Sequence, residues 1–281
     1  GDSTCTLPPY SLSEKIIENI KKQTVKLAKA LNVKGLLNIQ FAIQNNNIFL
    51  LEVNPRSSRT VPFVAKATGN QIVKIASKVV MGQKLKLNEL KKQKENFIAI
   101  KKPVFPFKRF PNVDTILGPE MKSTGEVMAI DNSFESAFIK CQLAASNPLP
   151  QKGTLFVSVK DTDKAKILPV IRSFSKQGFK ILATSGTAQF LIDGGVKTKI
   201  INKVSQGSPH CVDALLKDKI DIVINTTETR KSINDSFGIR RTALIKNIPY
   251  SLTVSGARAC INSIKRLKAE DITVNPITNF H

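Results

Sequence analysis

Gln40-Phe41-Ala42-Ile43-Gln44-Asn45-Asn46-Asn47-Ile48-Phe49-Leu50-Leu51-Glu52-Val53-Asn54-Pro55-Arg56 runs from one apolar, β-branched segment through three asparagines into a second. Both flanks read as strands around a tight turn, so the stretch predicts an antiparallel hairpin. With the turn centred on Asn46, paired residue numbers sum to 92, which sets Gln40 against Glu52. Asn54 then shares the face of Glu52, because strand side chains alternate with period two. An amide, a carboxylate and a second amide on one face offer oxygen donors to a hard cation that keeps some water and shares phosphate oxygens. Arg56 and Arg59 follow, placed to neutralise a phosphoryl group. Taken in isolation, the same residues also fit a hairpin with a merely polar outer face.

Their neighbours narrow the choice. The run Glu52-Val53-Asn54-Pro55-Arg56-Ser57-Ser58-Arg59-Thr60-Val61-Pro62-Phe63-Val64-Ala65-Lys66-Ala67-Thr68-Gly69 closely resembles the metal-binding end of an ATP-grasp domain, specifically that of carbamoyl-phosphate synthase large chains. A second block, from Phe105-Pro106-Phe107-Lys108-Arg109-Phe110 to Asp114 and from Leu117-Gly118-Pro119-Glu120 to Met128, resembles the same family at the corresponding downstream place. The resemblance runs from residue 1 to about residue 268. It implies that Gln40 and Glu52 contact the nucleotide, that Gln40, Glu52 and Asn54 hold Mg2+ or Mn2+, and that Arg56 and Arg59 are catalytic, with ATP as substrate. The start, Gly1-Asp2-Ser3-Thr4-Cys5, lacks an initiator Met and enters the family pattern part-way. The chain therefore reads as a fragment with negligible ATPase activity of its own.

With 281 residues there is room for two domains. Hydrophobic residues make up 41 %, enough for ordinary cores, and no apolar run nears the ~20 residues that span a bilayer. No membrane association is expected, and the start has no signal-peptide pattern. Cys5, Cys141, Cys211 and Cys260 lie too far apart for zinc-ligand spacing and suit a reducing cytoplasm. The net charge of +22 raises nucleic-acid binding as an alternative. Against it, 34 of the 43 basic residues are Lys, spread along the chain, and aromatics are only 6 % with no Trp. Attraction for anionic nucleotides explains the charge more economically, and no nucleic-acid partner is expected.

Residues 13–31 predict a helix with Ser11 and Glu14 as a capping box and Ile16, Ile20, Leu27 and Leu31 as its apolar stripe. A helix through Ile72, Ile75, Ala76 and Val79 ends near Gly82. Residues 83–98 read as a polar surface excursion, 100–130 as short strands and loops, and 133–145 as a helix. The stretch Ser146-Asn147-Pro148-Leu149-Pro150 has linker composition, dividing the chain into 1–150 and 151–281. Beyond it strands and helices alternate: strands at 155–159, 179–182, 198–202, 220–224 and 250–254, and helices at 162–177, 187–193, 211–217, 234–246 and from about 256. That rhythm predicts an α/β domain with a parallel sheet covered on both faces, whose ligands bind at the carboxyl ends of the strands.

Two loops at such ends carry suitable groups. Thr184-Ser185-Gly186-Thr187 opens a helix, whose N-terminal amides favour phosphate, and Asn225-Thr226-Thr227 ends the most apolar strand. A Ser/Thr loop is also an ordinary helix cap. Residues 153–268 resemble the methylglyoxal-synthase-like domain that ends the synthase large chain. The fold expected is thus α/β, a partial ATP-grasp domain followed by a Rossmann-like parallel-sheet methylglyoxal-synthase-like domain. Matched position by position, the resemblance places Lys164, Thr184, Thr187, Lys203, Asn225, Thr226, Thr227 and Arg230 at an allosteric site for UMP- or IMP-type nucleotides. Asn225-Thr226-Thr227 stands where methylglyoxal synthase chemistry needs an acidic loop, so that chemistry is rejected. In some family members ornithine activates through carboxylates near the junction of the two regions. Asp2 matches one of these, but Lys102 stands where another is expected and Ser251-Leu252 replaces a more polar pair, which argues against ornithine.

By resemblance the intact protein is an ATP-dependent ligase that joins glutamine-derived ammonia, bicarbonate and two ATP into carbamoyl phosphate for arginine or pyrimidine synthesis. It would work in the cytoplasm with a glutaminase small chain, as an oligomer of such heterodimers. A stand-alone nucleotide-binding regulator is the alternative.

Overall fold

The computed structural model describes residues 2–280 except 87, 89, 91–96, 111, 112 and 119, and the backbone alone at 231. Half of the polar excursion expected over 83–98, residues 87, 89 and 91–96, falls outside these residues. Strand β1 (Cys5–Leu7) precedes helix α1 (Glu14–Ala30). The expected cap at Ser11 is not used: Ser13 occupies the N-cap position with no side-chain cap bond, and Ile16 is the helix's one buried residue.

Asn45 and Asn46 both take positive φ, 51° and 64°, so the hairpin turns on two residues as in a type I′ turn. Asn47 already belongs to the second strand. Strands β2 (Asn38–Gln44) and β3 (Asn47–Asn54) therefore begin one residue off the expected register, with Phe41 opposite Leu50. A bulge between Gln40 and Phe41 absorbs Leu51 and restores Gln40 opposite Glu52 and Asn38 opposite Asn54.

Helix α2 (Thr60–Thr68) was not expected from the sequence, and α3 (Ile72–Val80) was. Pro62 lies in the first turn of α2, where the missing amide hydrogen has no helical partner to lose. Strands β4 (Ile98–Val104) and β5 (Gly125–Asp131) form an antiparallel sheet with β1, in the order β1-β4-β5. Alternation along β4 sends Ala99 into a core with Phe63, Ala67, Phe97 and Ile130. Ile100 faces the opposite side, toward α4 (Phe134–Ala144) and the second sheet.

That second sheet holds β6 (Thr154–Ser158), β7 (Lys180–Thr184), β8 (Thr198–Ile201), β9 (Ile222–Asn225) and β10 (Tyr250–Ser251), all parallel, in the order β10-β9-β6-β7-β8. The crossover helices are α5 (Asp161–Lys176), α6 (Ser185–Asp193), α7 (Cys211–Leu216), α8 (Arg230–Asp235), α9 (Phe237–Ile245) and the final α10 (Val254–Ala269). The helix expected over 234–246 is thus two, meeting at Ser236, and the last strand is two residues long. Period two again sorts the core. Leu155, Val157, Ile222 and Ile224 face α5, α10 and α4, while Phe156 and Val223 face α7 and α9. One buried cluster therefore joins Ile100, Phe138 and Leu149 to Leu155, Ile171 and Ile261.

Gly153 enters this sheet at φ 130°, and a Cβ there would lie 2.1 Å from Asp221 Oδ2, which accepts the Thr154 amide at 2.7 Å. Gly153→Ala is expected to cost about 1–3 kcal/mol through strain and loss of that bond, read as a lowered denaturation midpoint. Burial pushes the Cys141 and Cys260 thiols up to about 12 and Cys211 up to about 11. These three should resist aromatic disulfide reagents near neutral pH in the native protein and react on unfolding, since the thiolate is the nucleophile.

Candidate functional sites at the hairpin and at the carboxyl ends of the parallel sheet

The first site is built by β2, the bulge and β3. Glu52 lies opposite Gln40, and Asn54 Nδ2 donates to Glu52 Oε1 at 2.9 Å. Glu52 and Gln40 are exposed and Asn54 is half-buried, so the carboxylate faces solvent. One carboxylate and two amide side chains fit a hard divalent cation whose remaining positions are taken by water or phosphate oxygens. Among the described residues no cluster of three His, Cys, Asp or Glu side chains offers a denser metal site.

The two arginines are placed differently. Arg56 follows a tight turn, its amide donating to Asn54 O at 2.8 Å and its Nη1 to Ser57 O at 3.0 Å. Arg59 opens α2 and donates from Nη1 to Ser123 O at 3.0 Å, which ties the hairpin's exit to the loop before β5. Both guanidinium groups are engaged with backbone carbonyls rather than with Gln40, Glu52 or Asn54.

The second site follows from topology. The chain runs from β6 outward through β7 to β8, then returns to the other side of β6 to form β9. Loops leaving β6 and β9 diverge at this switch point and open a crevice at their carboxyl ends. Ser158 of β6 lies opposite Asn225 of β9. Asn225 Nδ2 donates to Ser158 O at 3.2 Å, while its buried Oδ1 has no partner. Thr226 Oγ1 accepts the Lys160 amide at 3.1 Å, and Thr187 Oγ1 accepts the Val159 amide at 3.3 Å. Thr184 Oγ1 donates to Ser158 Oγ at 3.2 Å. Thr184, Thr187, Asn225 and Thr226 are all buried around one strand end, and Thr227 is half-buried beside them.

Charge surrounds this polar floor. Lys164 Nζ reaches across the first turn of α5 to Asp161 Oδ1 at 2.7 Å and lies near Gly186 at the start of α6. The Lys164 hydrogen bond and charge, with a smaller part from Lys203, hold the exposed Asp161 carboxyl below its ordinary range. Lys203 and Arg230 are both exposed, Lys203 after β8 and Arg230 as the first residue of α8. Sequence reasoning missed Lys160, whose Nζ lies 3.7 Å from Glu228 Oε1 across the crevice. Its signal was available: it directly follows the central strand β6, so its loop had to share the switch point.

Residues 1–88 match the profile of the carbamoyl-phosphate synthase L chain, ATP binding domain, and residues 166–252 match that of the MGS-like domain. The carbamoyl phosphate synthase large chain of Rhizobium meliloti is 49 % identical over 286 residues, covering 100 % of this chain and 25 % of the relative. The C-terminal section of the Aquifex aeolicus large chain is 49 % identical over 290 residues, covering 96 % of this chain and 54 % of the relative. The large chain of Archaeoglobus fulgidus is 46 % identical over 283 residues, covering 100 % and 26 % respectively. This chain thus spans about a quarter of most of these relatives. The fold class is the expected one, an ATP-binding-domain segment followed by an MGS-like parallel-sheet domain. With similarity at this level along its whole length, the chain belongs to the carbamoyl phosphate synthase large-chain family.

Proposed function

We propose that this chain supplies the carbamate-phosphorylating face and the nucleotide-responsive domain of a carbamoyl-phosphate synthase. The observation that carries the reading is the pairing of Gln40 with Glu52, with Asn54 bonded to that carboxylate, in a chain similar throughout to carbamoyl phosphate synthase large chains. Gln40, Glu52 and Asn54 would hold Mg2+ or Mn2+, which when bound supplies charge neutralisation at the ATP phosphates. Phosphoryl transfer asks little covalent chemistry of a protein; positioning and electrostatics supply nearly all the catalysis. Glu52 contributes the formal negative charge of the set. Arg56 and Arg59 lie four and seven residues beyond it and, freed from Ser57 O and Ser123 O, would stabilise the transferring phosphoryl group. In the intact protein, ammonia would come from glutamine through a glutaminase small chain, and the assembly would be cytoplasmic.

At the second site Lys164, Thr184, Thr187, Lys203, Asn225, Thr226, Thr227 and Arg230 would hold the phosphate and ribose of a UMP- or IMP-type effector. Four buried polar side chains at a switch point, flanked by two lysines, are what supports this. An arriving phosphate replaces Asp161 as the partner of Lys164. Calorimetric titration of the 281-residue protein with UMP and IMP at moderate salt tests the assignment. Saturable binding is expected, weakened about 10- to 100-fold by Lys164→Gln, the range of one lost charge-assisted hydrogen bond. Thr187→Ala should weaken it further, and absence of binding to folded protein by both nucleotides removes the regulatory half of the reading.

A further inference from the structure

Two pairs of opposite charge flank the crevice at the carboxyl ends of β6 and β9, and they are built differently. The first, Lys164 Nζ with Asp161 Oδ1 at 2.7 Å, lies within the first turn of α5. The second spans the crevice. Lys160 ends the loop from β6, Glu228 lies in the loop from β9, and Lys160 Nζ stands 3.7 Å from Glu228 Oε1. These side chains are 30 % and 56 % exposed, so the pair sits at the mouth, whereas Thr184, Thr187, Asn225 and Thr226 form the buried floor.

Backbone bonds fix where both side chains begin. The Lys160 amide donates to Thr226 Oγ1 at 3.1 Å, and the Val159 amide donates to Thr187 Oγ1 at 3.3 Å. On the other wall the Glu228 amide donates to Ser232 Oγ at 3.2 Å, and the Thr229 hydroxyl caps α8 by accepting the Ser232 amide at 3.2 Å. Lys160 is the N-cap residue of α5 but its side chain makes no cap bond; its ammonium faces Glu228 instead. Lys160 and Lys164 are four residues apart across the first turn of α5, a spacing that makes side chains neighbours on one face. With one phosphate on Lys164, the next phosphate of a longer chain meets Lys160, a cation already paired, and the Glu228 carboxylate beside it.

We propose that Glu228 sets the number of phosphates this crevice accepts. It occupies Lys160 and repels a second phosphate, so that a nucleoside monophosphate binds and a di- or triphosphate is turned away. The proposal rests on the nucleotide reading of the crevice and deepens it. Discrimination between ligands of one chemistry needs a repulsive group as well as attractive ones, and Glu228 is the repulsive group here. The distinction has a use in a chain that also carries an ATP-binding-domain segment, since ATP would otherwise compete for the crevice.

Calorimetric titration of the 281-residue protein with UMP, UDP and UTP, and with IMP, IDP and ITP, tests the proposal. Ionic strength is fixed, and EDTA removes divalent cations that would mask the added charge. In a series that binds, the monophosphate is expected to bind about tenfold or more tightly than the triphosphate. Glu228→Gln frees Lys160 and removes the rim charge. It should tighten the di- and triphosphates by about tenfold and move the monophosphate by less than about threefold. Adding Lys160→Met to Glu228→Gln should take that gain away. Glu228 is more than half exposed, so its replacement leaves the fold intact. A triphosphate that binds the parent as tightly as its monophosphate would overturn the selectivity, as would a Glu228→Gln that shifts all three nucleotides equally. UMP or IMP binding in those cases still upholds the nucleotide reading. Failure of every one of these nucleotides to bind folded protein overturns both.

Discussion

Glu52→Gln, placed in a full-length large chain carrying this segment, is expected to lower carbamoyl-phosphate formation by about 10²–10³-fold, the range for removing one preorganised group that meets developing charge. The substitution keeps size and hydrogen-bonding capacity and removes only the formal charge of the Gln40–Glu52–Asn54 set. Glu52 is exposed, and its side-chain contact is the 2.9 Å bond from Asn54 Nδ2, which a glutamine oxygen can still accept. Stability should therefore stay within about 0.5 kcal/mol of the parent, as for surface changes generally. Activity measured against Mg2+ concentration decides the matter. A large fall with a shifted metal dependence supports the assignment, and normal activity with normal metal dependence removes Glu52 from the site.

The second large effect is structural. Asp114→Ala is expected to destabilise the chain by about 3–5 kcal/mol, because it leaves the charge of Arg240 buried and unpaired. Arg240 is 1 % exposed, and its Nε donates to Asp114 Oδ1 at 2.9 Å while Nη2 reaches both Asp114 Oδ2 and Ile233 O. Beside it, Arg241 Nη1 donates to Phe107 O at 2.8 Å. Through this pair α9 holds the segment between β4 and β5 against the parallel-sheet domain. The double variant Asp114→Ala/Arg240→Met, with an apolar chain in the same space, should recover much of the loss. Denaturant midpoints of the single and double variants measure both effects. Equal stability of Asp114→Ala and the parent would mean that water, not Asp114, solvates Arg240.

The same pair gives stability a pH dependence of known sign. Burial alone would raise the Asp114 carboxyl, but the Arg240 hydrogen bond and charge outweigh it and hold the group below its ordinary range. A carboxylate depressed in the native state contributes stability that is fully present above its unfolded value of about 3.9 and is lost as pH falls through the native value. Acid titration of the parent should therefore show a loss below about pH 4 that Asp114→Ala lacks.

Much of this protein was legible from local pattern. Apolar, β-branched flanks around three asparagines announced β2 and β3, and the alternation of strands with helices beyond residue 151 announced β6 and β9. The pairing of Gln40 with Glu52 was also expected, though from a turn centred on Asn46. The real turn uses Asn45 and Asn46, and the bulge at Leu51 compensates, a feature that period-two reasoning has no means to place. Helix α2 was not expected, and Pro62 is compatible with it because it lies within the first turn. The strand expected at 250–254 shrank to Tyr250–Ser251 because the Thr253 hydroxyl caps α10 by accepting the Gly256 amide.

The set of elements and the residue types at each strand end follow from local sequence, because hydrophobic period and turn chemistry act over a few residues. Which groups meet across distance was decided only by the tertiary structure. The return of the chain from β8 to the far side of β6 brings Ser158 beside Asn225 and so creates the crevice. The docking of α9 on the segment after β4 buries Arg240 on Asp114. Local sequence cannot set these contacts, since each depends on surfaces more than 30 residues apart that come together only when the common core is buried.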